Sequence, residues 1–89
     1  LIMNITNIKK LATEGKSPYF FNPDTMKFFN SKVYKDVRKV EKGYLFLTSE
    51  VFGDDSRHYA VRFISFDGSI ETIEKYHTLK DAKEHLKFF

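Results

Sequence analysis

The chain has 89 residues, which favours a single domain over residues 1–89 with a thin core, because so short a chain buries only about 60–65% of its unfolded surface. Hydrophobic residues make up 42% and charged residues 30%, a balance that argues against disorder, and the lack of cysteine excludes disulfides and thiolate metal sites. The net charge of +3 is small for a dedicated nucleic-acid binder and argues against an acidic DNA mimic.

The charge is unevenly distributed along the chain. Residues 1–42 contain nine basic and four acidic residues, whereas residues 43–89 contain six and eight. No apolar run approaches the ~20 residues that a membrane helix needs, so we expect no membrane association. The N-terminus lacks the pattern of a signal peptide. We expect Met3 to be the natural start, with Leu1 and Ile2 left by cloning.

The first predicted element is a helix from Ile5 to Glu14. Its apolar residues recur at three- and four-residue spacing, which places them on one face: Ile5, Ile8, Leu11 and Ala12. Asn4 is suited to cap the start of this helix. Gly15 stands where a left-handed C-terminal cap is expected.

An aromatic segment follows between two prolines. Because a proline disfavours helical geometry in the residue before it, Pro18 and Pro23 predict extended backbone over residues 17–22. Asn22 before Pro23 is typical of a helix N-cap with proline at the first helical position. We therefore expect a short helical turn over residues 23–29.

The middle of the chain is predicted to form antiparallel strands. We expect an edge strand over residues 32–41, broken or bulged near Asp36, followed by strands over 44–49, 58–66 and 69–76. The strand over residues 44–49 carries aromatics on one face and leucines on the other, so both faces should be partly covered. Asp67-Gly68 predicts a type I′ hairpin turn between the last two strands.

The chain is predicted to close with a helix over residues 79–88. Thr78 and Asp81 match a capping box, and the apolar face consists of Leu79, Ala82, Leu86 and Phe89. The predicted fold class is α+β: a three- or four-stranded antiparallel sheet flanked by an N-terminal and a C-terminal helix. We expect both helices to pack on one face of the sheet.

No arrangement of residues predicts catalysis, so we expect a protein that is not an enzyme and binds no cofactor. His58, His77 and His85 lack the spacing that places two metal ligands on one helix face. Asp54, Asp55 and His58 could hold a cation, but a solvated loop is the simpler interpretation. Four scattered glycines do not form a phosphate-binding loop.

Two segments are candidate binding surfaces. The first is aromatic, and its rings either cover the sheet or leave one or two exposed as anchors for a partner: Tyr19, Phe20, Phe21, Phe28 and Phe29. The second is basic, and it either protects an edge strand from pairing or follows a phosphate backbone: Lys32, Lys35, Arg38, Lys39 and Lys42. For both segments we favour the interpretation without a partner: the rings cover the sheet, and the basic residues protect an edge strand.

The run from Tyr19 to Val33, with its Pro-Asp-Thr-Met turn between pairs of aromatics, resembles a pattern in small proteins of bacteriophages and mobile elements. The resemblance extends over residues 19–76 and assigns no functional residue. It implies a phage-derived accessory protein in the cytoplasm of a bacterial host cell.

Small phage proteins without catalytic sites often bind and block host machinery. We therefore expect a non-enzymatic protein that binds a host or defence protein, as an inhibitor of the anti-CRISPR or another anti-defence type. The alternative is a small nucleic-acid-binding module. A self-assembling structural protein is a third possibility.

Overall fold

A computed structural model of the chain describes residues 4–51, 53 and 56–89. The expectation about Met3 falls outside the described residues, as do Asp54 and Asp55, two of the three residues that could hold a cation with His58. The elements are α1 (Ile5–Glu14), α2 (Pro23–Phe28), β1 (Lys32–Val40), β2 (Gly43–Val51), β3 (Arg57–Ser65), β4 (Ile70–Tyr76) and α3 (Leu79–Leu86). In the described part of the chain, the strands form one antiparallel sheet in the order β1-β2-β3-β4. The α+β fold class is confirmed.

The two terminal helices pack on opposite faces of the sheet. Phe46 of β2 and Ile64 of β3 pack with α1 through Ile8 and Ala12, all of them fully buried. On the other face, residues of β2 and β3 pack with α3, and this second core consists of Leu45, Leu47, Val61, Ala82 and Leu86. The expectation that both helices share one face is wrong. Because β2 is apolar on both of its faces, each face needs its own helix.

Helix α1 has the predicted bounds, but its C-terminal cap differs from the prediction. The Asn4 side chain accepts a hydrogen bond from the Asn7 amide at 3.0 Å, as expected of an N-cap. Gly15 has φ of −103°, so it is not left-handed. Its lack of a side chain serves a close approach instead, because a Cβ there would lie 2.3 Å from the Asp67 carbonyl oxygen.

The aromatic segment is folded into turns, so the expectation of extended backbone over 17–22 is wrong for residues 18–21. The Phe20 amide donates to the Ser17 carbonyl and the Asn22 amide to the Tyr19 carbonyl, each at 3.2 Å. Pro18 occupies the second position of the first turn, where its fixed φ is favourable. Asn22 itself is extended, and its side chain caps α2 by accepting from the Asp24 amide at 2.9 Å.

Strand β1 lies at an edge of the sheet and contains the predicted bulge. Val33 pairs with Thr48 and Val37 with Phe46, so β1 has two more residues than β2 in this interval. Because two is an even number, the bulge leaves Val33 and Val37 on the same face, and both pack against the α1-side core. The irregularity near Asp36 is therefore confirmed.

The hairpin of β3 and β4 is confirmed, but its turn is not type I′. Gly68 has φ of 85°, whereas Asp67 is not left-handed. The Gly68 amide donates to the Ser65 carbonyl and the Ser65 amide to the Ser69 carbonyl, both at 3.0 Å. This is a three-residue loop, built from a type I turn followed by a left-handed glycine.

Helix α3 is shorter than predicted and ends at Leu86. Its N-cap is as expected, since the Thr78 hydroxyl accepts from the Asp81 amide at 3.1 Å. Phe89, predicted on the apolar face, is 41% exposed and belongs to neither core. No helix among the described residues has the length and apolar character needed to cross a membrane.

The Asp67 carboxylate organises the β3–β4 turn. It accepts hydrogen bonds from the Ser65 hydroxyl, the Ser69 amide at 3.0 Å and the Ser69 hydroxyl at 2.8 Å, and it lies 3.1 Å from Lys16 Nζ. The Ser65 hydrogen bond, followed by those from Ser69 and by Lys16, holds the pKa of Asp67 well below its usual range.

We expect Asp67→Asn to lower the melting temperature at neutral pH. A carboxyl whose pKa is depressed by folding stabilises the protein above its unfolded pKa of about 3.9, and this contribution is lost as the pH falls further. The difference in melting temperature between wild type and variant should therefore shrink on acidification below about pH 4. Thermal unfolding followed by circular dichroism across this range measures it; a difference independent of pH would contradict the assignment.

Candidate functional site

A half-open cavity of about 340 Å³ lies on the α1 side of the sheet, between the aromatic segment and the strands beneath it. We call it the aromatic groove. Its walls come mainly from residues 19–33 and its floor from β2 and β3. It is lined by Tyr19, Phe20, Phe21, Thr25, Met26, Phe29, Ser31, Val33, Thr48, Glu50 and Arg62.

Hydrogen bonds from strand amides fix the segment above the sheet at both ends. At the start, the buried Ser17 hydroxyl accepts from the Ile70 amide of β4 at 3.1 Å. At the other end, the Phe29 carbonyl accepts from the Val51 amide of β2 at 2.8 Å. The segment therefore crosses the sheet from β4 to β2, and the groove lies below this crossing.

Ring packing anchors the wall to the core. Phe21 is buried, with its ring centroid 6.1 Å from that of Phe46, and Phe20 meets Phe21 edge to face at 4.9 Å. Edge-to-face pairs at such distances stabilise each other by about 0.5–1.5 kcal/mol beyond the area they bury. The wall is therefore held in place without a ligand.

The five aromatic residues predicted as a binding surface divide into three groups. Phe21 belongs to the core, and Phe20 and Phe29 are half-buried in the groove wall. Tyr19 is 64% exposed at the groove, whereas Phe28 is 80% exposed and does not line it. The segment therefore contains both buried and exposed rings, and its role as a partner-binding surface stays a prediction.

The floor of the groove is polar and is organised by Arg62. Its Nε donates to Thr48 Oγ1 at 3.0 Å and its Nη2 to Glu50 Oε1 at 2.9 Å, both on β2. Nη1 donates to Thr72 Oγ1 on β4. The Phe20 ring covers the guanidinium, with 5.4 Å between the ring centroid and Cζ.

The pair of Arg62 and Glu50 is largely removed from solvent, since their side chains are only 13% and 9% exposed. Transfer of two charges from water into a protein costs several kcal/mol per ion, and their attraction offsets this only with good geometry and further hydrogen bonds. Such a pair adds little net stability, but the loss of one partner leaves the other buried and uncompensated.

Sequence reasoning did not identify the floor residues. Thr48 and Glu50 follow Phe46 at two-residue spacing, and Arg62 stands between Ala60 and Ile64, both buried. A charged residue within a buried strand face requires a partner on a neighbouring strand. The sequence therefore indicated that Arg62 needs a partner. It did not show that the partner is Glu50, because that depends on the register between β2 and β3.

The basic residues predicted as a nucleic-acid surface do not form one patch. Four of them are exposed: Lys32, Lys35, Lys39 and Lys42. Arg38 is half-buried and donates to the Leu86 carbonyl at the end of α3 at 3.0 Å. Arg38 and Lys39 are adjacent in a strand and so face opposite sides of the sheet. None of the five lines the groove.

Outside the groove, one buried polar atom in the described part of the chain has no hydrogen-bond partner, the Tyr76 hydroxyl oxygen. Burial, and to a lesser degree Glu74, raises the pKa of Tyr76. Its ring packs against that of His85 at 4.8 Å. Within the described residues, no three His, Asp or Glu side chains are placed to hold a metal ion together.

Comparison with known proteins assigns the chain to a family. It belongs to the family of unknown function DUF7447, which it matches over residues 4–87. The comparisons with curated proteins and with solved structures found no match.

The ion pair in the floor can be tested by a double-mutant cycle. We expect Arg62→Met and Glu50→Leu each to destabilise the protein by about 3–5 kcal/mol, because each leaves an unpaired buried charge. The double variant should be within about 1 kcal/mol of wild type, since it removes both charges. Urea denaturation gives the free energies of unfolding.

Arg57→Met is a matched control for this cycle, because Arg57 donates to the neutral Ser49 hydroxyl at 2.8 Å. We expect it to cost about 1–2 kcal/mol. Additive effects of the Arg62 and Glu50 substitutions would show that the two side chains do not form a coupled buried pair.

Proposed function

We propose that this member of the DUF7447 family is a non-enzymatic binding protein that holds an apolar element of a partner protein in the aromatic groove. The observation that carries the proposal is a groove of about 340 Å³ whose aromatic wall is fixed to the core while Tyr19 remains exposed at its side. Binding energy in protein interfaces is concentrated where a few aromatic anchors enter such preformed pockets.

The charge distribution favours a protein partner over a nucleic acid. Glu50 and Arg62 contribute one charge of each sign to the groove, and its other lining residues are neutral. Nucleic-acid binding depends on several cations that follow the phosphates. The five basic candidates lie outside the groove and on different sides of the sheet, so they support this alternative only weakly.

The biological setting in this proposal comes from the resemblance of residues 19–76 to small proteins of bacteriophages and mobile elements. A phage-derived protein acting in the cytoplasm of a bacterial host meets host enzymes and defence proteins. A small protein that occupies a functional surface of such a target inhibits it without any chemistry of its own. We therefore propose an inhibitor of a host or defence protein, of the anti-CRISPR or another anti-defence type.

Capture from a lysate of the bacterial host, with and without nuclease treatment, followed by affinity measurement with the purified partner, tests the proposal. Tyr19→Ala and Phe66→Ala are matched variants, because the two rings are 64% and 58% exposed and only Tyr19 lines the groove. We expect Tyr19→Ala to weaken partner binding by at least about tenfold, the effect of losing roughly 1.4 kcal/mol at an anchor. Phe66→Ala should leave the affinity unchanged.

Three outcomes would contradict the proposal. One is a partner whose affinity is equally insensitive to both substitutions. Another is retention that disappears on nuclease treatment and on substitution of Lys32, Lys35, Lys39 and Lys42 by glutamine, which would favour the nucleic-acid module. The third is a defined oligomer of the chain alone with Tyr19 in its interface, which would favour self-assembly.

A further inference from the structure

We infer that the aromatic groove accepts a neutral aromatic side chain carrying a hydrogen-bond donor, a tryptophan or tyrosine of the partner protein, with its N–H or O–H donated to the Glu50 carboxylate. This inference rests on the proposed function and names the chemistry of the occupant. It depends on the hydrogen-bonding capacity that the groove leaves open, on its charge and on its size.

The Glu50 carboxylate is the anionic hydrogen-bond acceptor that the groove offers to an occupant. Its side chain is only 9% exposed, and it lies in the lining of the groove. In the described part of the chain, its one hydrogen-bond donor is Arg62 Nη2, which contacts Oε1. An ionised carboxylate accepts about four hydrogen bonds, so Oε2 retains its capacity for a donor that enters the groove.

Arg62 has less capacity to offer. Each of its three nitrogens already donates to a protein oxygen, on Thr48, Thr72 or Glu50. One face of the guanidinium is covered by Phe20. Arg62 therefore orients the carboxylate, and recognition of an occupant falls mainly on Glu50.

The floor carries no net charge, because the Glu50 carboxylate and the Arg62 guanidinium compensate each other. An ion in the groove would meet an opposite charge that is already paired and a like charge beside it, so the floor offers little net attraction to offset the desolvation of that ion. A neutral group that donates one hydrogen bond to Glu50 has a smaller desolvation cost. The floor therefore favours a neutral occupant.

The size and walls of the groove favour a ring. A volume of about 340 Å³ is at the lower end of the range for ligand sites, which suits a large side chain rather than a whole helix. The Phe20 and Phe29 rings offer edge and face contacts to another aromatic group. Tryptophan and tyrosine combine an apolar ring with a donor, and they are frequent anchors of interfaces.

A guanine base also presents a neutral ring with N–H donors, and it is the closest competitor of these side chains. A nucleotide additionally carries phosphate, which needs cations near the site. Among the described residues of the lining, Arg62 is the one cation, and three of its five N–H groups already donate to the protein. The groove therefore favours a protein side chain.

The test compares two probes, N-acetyl-tryptophanamide and its analogue methylated on the indole nitrogen. The chain contains no tryptophan, so indole fluorescence reports the probe alone. We expect the first probe to bind at least about tenfold more tightly, because methylation removes the donor of a hydrogen bond to a charged group. NMR shifts of Thr48, Glu50 and Arg62 should locate the binding.

Protein variants make the comparison specific to Glu50. The double variant Glu50→Leu with Arg62→Met removes the acceptor without leaving an unpaired charge, and it should bind the two probes with equal affinity. Phe88→Ala, which changes an exposed ring after α3 and outside the groove, should preserve the tenfold difference.

Each other outcome overturns the inference in a different way. Equal affinity of the wild type for both probes would exclude the hydrogen bond to Glu50. Tighter binding of guanosine monophosphate in the groove would assign it to a nucleotide. If neither probe shifts the groove resonances while Tyr19→Ala still weakens partner binding, the occupant is wrong and the proposed function stands.

Discussion

The polar floor of the groove is organised by one side chain, that of Arg62, which lies largely removed from solvent in the middle of the sheet. Arg62 on β3 pairs across the strands with Phe46 on one side and Thr72 on the other, and its side chain bonds to both neighbouring strands. Its guanidinium extends along β2 past Thr48 to Glu50. Because the Phe20 ring lies over this group, the same interaction that joins the strands also positions the aromatic segment. The groove is a consequence of this arrangement: an apolar wall above a polar floor that needs no ligand to form.

Features set by neighbouring residues were predictable from the sequence. Helix α1 has the predicted bounds because Asn4 and the apolar spacing act within the helix itself. The cap of α2 by Asn22 and the bulge near Asp36 are similarly local. Features that depend on distant contacts were missed. Gly15 is required by the approach of the Asp67 carbonyl, and the placement of the helices on opposite faces depends on the cores they complete.

The candidate site likewise combines features set by neighbouring residues with features set by distant contacts. Its aromatic wall is contiguous in sequence, so residues 19–29 were identifiable as a candidate surface. Which of these rings are buried and which are exposed was not predictable. Phe21 and Phe28 differ in exposure because only Phe21 faces Phe46. The floor combines residues of two strands, and it becomes visible only once Phe46 is paired with Arg62. The polar floor, on which the proposed chemical selectivity depends, is thus the part of the site that can be recognised only when the register of the sheet is known.

The most direct test of this account is the NMR signal of the Arg62 Nε–H in the free protein, assigned by its loss in Arg62→Lys. We expect slow exchange with solvent and nuclear Overhauser contacts to the Phe20 ring and to Thr48, because this donor is bonded below the ring before any ligand arrives. Fast exchange without contacts to Phe20 would show that the guanidinium is mobile. The groove would then not be preformed, and the proposals built on its geometry would fail.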